Sequence, residues 1–139
     1  MVYIRKAKES DLLLMKNIFK IKELGLDKKA HYSKYIQRLI KSKKGSVILV
    51  AEDSSKIIGL IFGEYNQQEN WAELGGVGIL QGHRGQGIGS KLIKEFENII
   101  KSKNINNIEL FAHIDTLAKH IHKLGYEKGE TYINYKKKL

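Results

Sequence analysis

The sequence predicts an α+β fold: a mixed, mostly antiparallel central sheet flanked by helices, in the order β-α-α-β-β-β-α-β-α-β. Two observations carry this. The apolar, β-branched run Val47 to Glu52 is followed by the turn Asp53-Ser54-Ser55-Lys56, the returning run Ile57 to Tyr65 and a third run, Trp71 to Ile79. Strand-like runs that follow one another across short polar turns read as an antiparallel meander. The second observation is the segment from about Gly87 to Lys103, where Ile88, Leu92, Ile93, Phe96, Ile99 and Ile100 recur on a 3.6-residue face. A long helix between two strands, here Trp71 to Ile79 and Ile108 to Ala112, is the connection that parallel strands require.

The remaining elements follow from local pattern. Val2 to Lys6 is a short strand. Ser10 is placed to cap a helix carrying Leu12, Leu13, Met15, Ile18, Phe19 and Leu24. A second helix is expected from about Asp27 to Ser42, with Tyr32, Tyr35, Ile36, Leu39 and Ile40 on one side. Asn106-Asn107 precedes the strand Ile108 to Ala112. Leu117 to Leu124 is a short helix closed by Gly125, and Thr131 to Lys136 is a last strand. Glycine supplies the punctuation, because the chain has no proline.

With 139 residues, 42% of them hydrophobic, residues 1–139 are expected to form one globular domain with a real core. The longest apolar run, Ile57 to Gly63, is too short to span a bilayer, and Met1 to Lys6 lacks the apolar stretch of a signal peptide. A cytoplasmic location is the expectation, with no membrane partner. The absence of cysteine excludes disulfides, thiolate metal sites and a cysteine nucleophile. A net charge of +10 draws anions: nucleic acid, an acidic membrane or a polyphosphate cofactor. The lysines are dispersed, with Lys136-Lys137-Lys138 the one run of three, so the charge reads as a solvated surface rather than a nucleic-acid patch. No histidine pair has metal-ligand spacing, and no metal site is expected.

Seven of the 13 glycines lie between Gly75 and Gly89. They join a strand to the start of the long helix, where the first N–H groups have no internal partner and the helix dipole favours anions. Gln81-Gly82-His83-Arg84-Gly85-Gln86-Gly87-Ile88-Gly89-Ser90 is therefore a phosphate cradle by construction, and Arg84 can add a forked contact to phosphate oxygens. A Walker A loop is excluded because Gly87 is followed by Ile88-Gly89 rather than Lys-Ser or Lys-Thr. The dinucleotide pattern G-x-G-x-x-G is excluded because Gly85 to Gly89 reads G-x-G-x-G.

These residues resemble the GNAT family of N-acetyltransferases, whose signature is Q/R-x-x-G-x-G/A at the head of a long helix. Arg84-Gly85-Gln86-Gly87-Ile88-Gly89 matches each fixed position, and Leu92 continues the pattern. The opening Ile4-Arg5-Lys6-Ala7 with Asp11, the hairpin pair, and Leu124-Gly125-Tyr126-Glu127 fall where the family has counterparts, so the resemblance spans nearly the whole chain. Many members carry proline where this chain has Gln81.

The resemblance implies the GNAT (acyl-CoA N-acyltransferase) fold and acetyl-CoA as cofactor, held by Ile79, Leu80, Gln81 and Arg84 through Ser90. It implies a bulge in the strand before the loop, for which Gly75-Gly76 is suited. It implies that the Ile79 backbone pairs with the pantetheine arm, and that the Val77 N–H points at the thioester carbonyl and stabilises the developing oxyanion. The acceptor is an amine, which must lose a proton before it attacks, and Glu73 stands where some members carry that base. A tyrosine general acid is expected four residues before Gly125, yet Ile121 stands there. His120 and His122 flank it and titrate in a suitable range. No residue assigns His31 or His113 a role.

The leading function is an acetyl-CoA-dependent N-acetyltransferase that moves acetyl directly to a primary amine of a small molecule or peptide in a ternary complex. A non-catalytic acyl-CoA sensor or scaffold of the same fold stays open because of Ile121. The family admits a homodimer. The acceptor segments, Leu24 to Lys44 and the final hairpin, hold few carboxylates, which disfavours a strongly cationic polyamine.

Overall fold

A computed structural model describes residues 1–21, 32–42, 44–111 and 118–139. Five strands, β1 (Val2–Lys6), β2 (Ser46–Asp53), β3 (Lys56–Asn66), β4 (Trp71–Ile79) and β5 (Ile108–Glu109), form one sheet in the order β1-β2-β3-β4-β5. The first four are antiparallel, and β4–β5 is the one parallel pair. The predicted meander and single crossover are both present.

The sheet is covered on both faces. On one lies α1 (Tyr32–Lys41) with the segment that follows β1, around a core of Met15, Ile18, Phe19, Ile36, Leu60 and Phe62. On the other lies α2 (Ile88–Ser102), whose Ile88, Leu92, Ile93, Phe96 and Ile100 are buried against Leu49, Ile58, Ile61 and Leu74. Central strands β2 and β3 are sandwiched between the layers, which is why their apolar runs are nearly continuous rather than alternating. Among the described residues, no helix is long and apolar enough to cross a membrane.

Over the described residues the expected first helix is instead a 3₁₀ turn, Glu9–Met15, with Ser10 inside it rather than at its cap; Leu24 falls outside the described residues. Leu12 and Met15 stand three residues apart, the spacing that a 3₁₀ helix puts on one line, and Met15 is buried, as are Ile18 and Ile21 beyond the turn. The turn is fixed from outside by Asp11, which is 2% exposed. Arg5 on β1 donates to both its carboxylate oxygens, at 2.8 and 2.9 Å, and the Lys8 N–H donates at 2.7 Å. Arg5 Nε reaches Glu52 Oε2 at 3.1 Å, so one guanidinium ties β1, β2 and the turn together. This fork holds the Asp11 carboxyl below its ordinary range.

Three other boundaries change. The described part of the second helix is Tyr32–Lys41; its expected start at Asp27 falls outside the described residues. β5 ends at Glu109, with Ala112 outside them. Thr131 to Lys136 is not a strand: this tail has no ladder partner among the described residues, and Tyr132, Ile133 and Tyr135 are exposed. Side-chain alternation gives a strand only where a neighbouring edge accepts its backbone, and among the described residues none does. The short helix is α3 (Ala118–Lys123), and Gly125 ends it at φ +91°.

Candidate active site

The site is built on the second half of β4. Glu73 faces Glu64 across the β3–β4 ladder and Leu74 faces Gly63, but the next pair is Gly76 with Phe62. Gly75 is the extra residue of a β-bulge. The predicted bulge is therefore present, and its packing requires glycine on both strands. A Cβ on Gly75 would lie 2.6 Å from the Phe62 ring, and one on Gly63 would fall on the Glu73 carbonyl oxygen.

The bulge changes which backbone groups face which neighbour. Before it, the Ala72 N–H donates to the Asn107 carbonyl beside β5 at 2.9 Å. After it, the Leu80 N–H donates to the Ile58 carbonyl of β3 at 2.9 Å. Successive residues of a strand point their N–H and C=O to opposite sides. Ile79 and Val77 therefore turn theirs away from β3, toward the β5 side. There the β4–β5 ladder holds only Ala72 with Ile108 and Glu73 with Glu109, so no strand pairs Gly75 to Ile79 on that side among the described residues. This leaves a gap in the described ladder, bordered by the outward backbone of Val77 and Ile79. The side chains of Val77 and Ile79 pack toward α2, and only glycines, Gly75, Gly76 and Gly78, occupy the α1 face of this stretch.

Beyond Ile79 the chain makes a short 3₁₀ turn, Gln81–His83, with the His83 N–H on the Leu80 carbonyl at 2.9 Å. Arg84 is extended, and its Nε–H donates to the Ile79 carbonyl at 2.9 Å. Gly85 (φ +79°) and Gly87 (φ +78°) then turn the chain into α2 through the left-handed region. Gly87 is the N-cap, with no side chain filling the cap, and the first helical bond runs from the Lys91 N–H to the Gly87 carbonyl at 3.1 Å. The amides of the first turn thus open outward at the positive end of the dipole. A Cβ on Gly82, Gly85 or Gly87 would meet nothing within 4 Å, so the concave side of the loop is open to a ligand.

Glu73 sits at the near end of the gap, on the α1 face of β4 and half-buried. It is flanked on that face by its register partners Glu64 on β3 and Glu109 on β5. Burial, then repulsion from Glu64 and Glu109, pushes its carboxyl above the ordinary range. No ion pair among the described residues involves any of the three. Tyr35 of α1 stacks edge-on to Phe62, and burial followed by the charges of Glu64 and Glu73 raises its phenol.

The fold thus brings together Glu73, Val77, Ile79, Leu80, Gln81 and Arg84 to Ser90 along one arch. His122 is exposed on α3: its Nδ1–H donates to the Tyr126 carbonyl at 3.0 Å, closing the end of that helix. Ile121 packs into the α2-side core. Tyr126, also near in sequence, turns toward Glu97 of α2, where burial and then that carboxylate raise its phenol. His31 and His113 lie outside the described residues. Glu64 and Glu109 are the residues that sequence reading missed. Glu64 was within reach: with Gln67 to Asn70 as the hairpin turn, it pairs opposite Glu73. Glu109 was not, because parallel register across a helix leaves no mark in sequence.

This architecture defines an acyltransferase fold of the acetyltransferase type. The sequence matches the acetyltransferase (GNAT) family model over residues 13–126, and the chain belongs to that family and is an N-acetyltransferase. No curated protein matches the chain. Among solved structures, a transcriptional regulator from Bacillus halodurans C-125 superposes with TM-score 0.80 at 24% identity, covering 98% of this chain and 99% of that one. The aminoglycoside 6'-N-acetyltransferase AAC(6')-Ih from Acinetobacter baumannii does so at 0.77 and 20%, covering 100% and 99%. The aminoglycoside N-acetyltransferase AAC(6')-Iy in complex with CoA gives 0.79 and 17%, covering 100% and 96%. At these identities the likeness speaks for the fold alone.

Proposed function

We propose that this chain transfers acetyl from acetyl-CoA directly to a primary amine, in a ternary complex, and that the amine belongs to a cationic acceptor. The observation that carries the reading is the continuity of the arch: outward amides at the head of α2 lead, through Ile79, to the outward N–H of Val77 in the gap. Acetyl-CoA supplies the reactive thioester carbonyl. The amides of Gly85 to Gly89 suit its pyrophosphate, with Leu80, Gln81 and Ser90 at the rim. The Ile79 N–H suits the pantetheine arm. The Val77 N–H suits the carbonyl oxygen as negative charge develops on it.

Glu73 is the base in this reading. It takes the proton of the bound ammonium, directly or through water, and the freed lone pair attacks the thioester carbon as the C–S bond breaks. A carboxyl held above its ordinary range is a better proton acceptor than an ordinary one. The leaving thiolate takes its proton from solvent, or from His122 Nε2 when both ring nitrogens carry protons, because Nδ1–H is engaged by the Tyr126 carbonyl. Glu64 and Glu109 favour a cation beside Glu73, and they alter the expectation drawn from the acceptor segments alone. The aminoglycoside acetyltransferases among the neighbours act on cations of this type.

One observation favours the second reading, a CoA-binding sensor: the tyrosine position is filled by Ile121, committed to the core. Thiol release from acetyl-CoA with a panel of amines separates the two. Turnover with cationic diamines or amino sugars, and little with neutral or anionic amines, is the expected result. Acetyl-CoA binding with no thiol release on any amine would establish the sensor instead.

A further inference from the structure

The Arg84 hydrogen bond to the end of β4 separates two roles that one residue could play. An arginine beside a phosphate cradle suggests a counter-charge. In the structure, however, it is Nε–H that is engaged, with the Ile79 carbonyl at 2.9 Å. Nε lies four atoms beyond Cα, and this bond closes a short ring of chain from Ile79 to Arg84. Within that ring the Leu80 N–H is anchored to β3, the His83 N–H to Leu80 and the Arg84 N–H to Gln81. Immediately after it come the two left-handed glycines and the open amides of α2. The bond therefore sets where the cradle sits relative to the strand. It also occupies the gap-facing carbonyl of Ile79, which leaves the Ile79 N–H as the group turned to the gap.

We infer that Arg84 is a positioning residue of the cofactor loop, acting as a tie through Nε–H to the Ile79 carbonyl and not chiefly as a counter-charge to the pyrophosphate. This rests on the reading that the loop holds CoA. The chemistry gives a sharp distinction. Glutamine carries an N–H donor, Nε2, at the same four-atom reach but has no charge. Lysine carries the charge one atom further out, on a carbon chain with no donor at that position. A tie is kept by Arg84→Gln and lost in Arg84→Met. A counter-charge is kept by Arg84→Lys and lost in Arg84→Gln.

The test is titration calorimetry of CoA against wild type and the Gln, Lys and Met variants, with amide hydrogen exchange of Ile79 to Gly89 measured without CoA. The expected result is Arg84→Gln within about threefold of wild type in Kd and Arg84→Met weaker by roughly tenfold or more. Loop exchange should be faster in the Met variant and unchanged in the Gln variant. A Gln variant as weak as Met, or a Met variant that binds like wild type, overturns the tie. Failure of wild type to bind CoA overturns the functional reading instead, and the exchange measurement then still decides the tie.

Discussion

Gly87 gives the most direct physical test of the cradle. Its φ of +78° and ψ of +8° place it in the left-handed region, where an L-residue is strained by about 1–2 kcal/mol. A Cβ there meets nothing within 4 Å, so the strain in Gly87→Ala is purely one of backbone and collision adds nothing. The variant must either hold the left-handed turn, and lose that energy from its stability, or relax it and restore it when CoA binds. In the second case Kd rises about 5- to 30-fold, since 1.4 kcal/mol is a factor of ten. The sum of the two losses is the constant quantity. Calorimetric titration of CoA and urea unfolding measure the two parts separately. Asparagine tolerates this region better, so Gly87→Asn should fall between glycine and alanine. Gly82→Ala is the control for stability: Gly82 is outside the left-handed region and also has open space. A Gly87→Ala protein with an unchanged unfolding midpoint and a Kd within twofold of wild type refutes the reasoning, as does an asparagine variant no better than alanine.

The carboxylates set the remaining outcomes. Glu73→Gln should lower kcat/KM by about 10²- to 10⁴-fold at neutral pH and abolish the acid limb of the pH–rate profile. Glu64→Gln or Glu109→Gln removes a repulsive neighbour of Glu73, so the acid limb should move to lower pH with Glu73 intact; a profile that stays in place would show that the row does not act on it. Asp11→Ala leaves the Arg5 guanidinium with Glu52 and the Lys6 carbonyl and should cost about 1.5–3 kcal/mol in urea unfolding. Because the folded state lowers the Asp11 carboxyl from its ordinary 3.8, its contribution is complete above that value and is lost as pH falls through the folded one. The wild-type minus Asp11→Asn stability difference should shrink below about pH 4, and a difference that grows there would contradict the assignment.

The helix α2 and its glycine head were fully legible in sequence. Period and spacing are local properties, and a helix with one apolar face has one way to lie on a sheet. The meander was legible for the same reason, since Asp53 to Lys56 and Gln67 to Asn70 each fix a hairpin. The first helix was misread because two periods compete in Leu12 to Ile21, and Arg5, distant from most of them, decides between them by holding Asp11. The last strand was misread because Thr131 to Lys136 alternates correctly but needs an edge that local pattern cannot supply. Gly75 to Gly89 marked by itself where a phosphate would sit, because left-handed turns and close approach demand glycine at the residue level. That Val77 and Ile79 face the gap, that Glu64 and Glu109 flank Glu73, and that Arg84 ties the loop to its strand are decisions of the tertiary structure. They depend on register and on a one-residue bulge, and register is set only when strands meet.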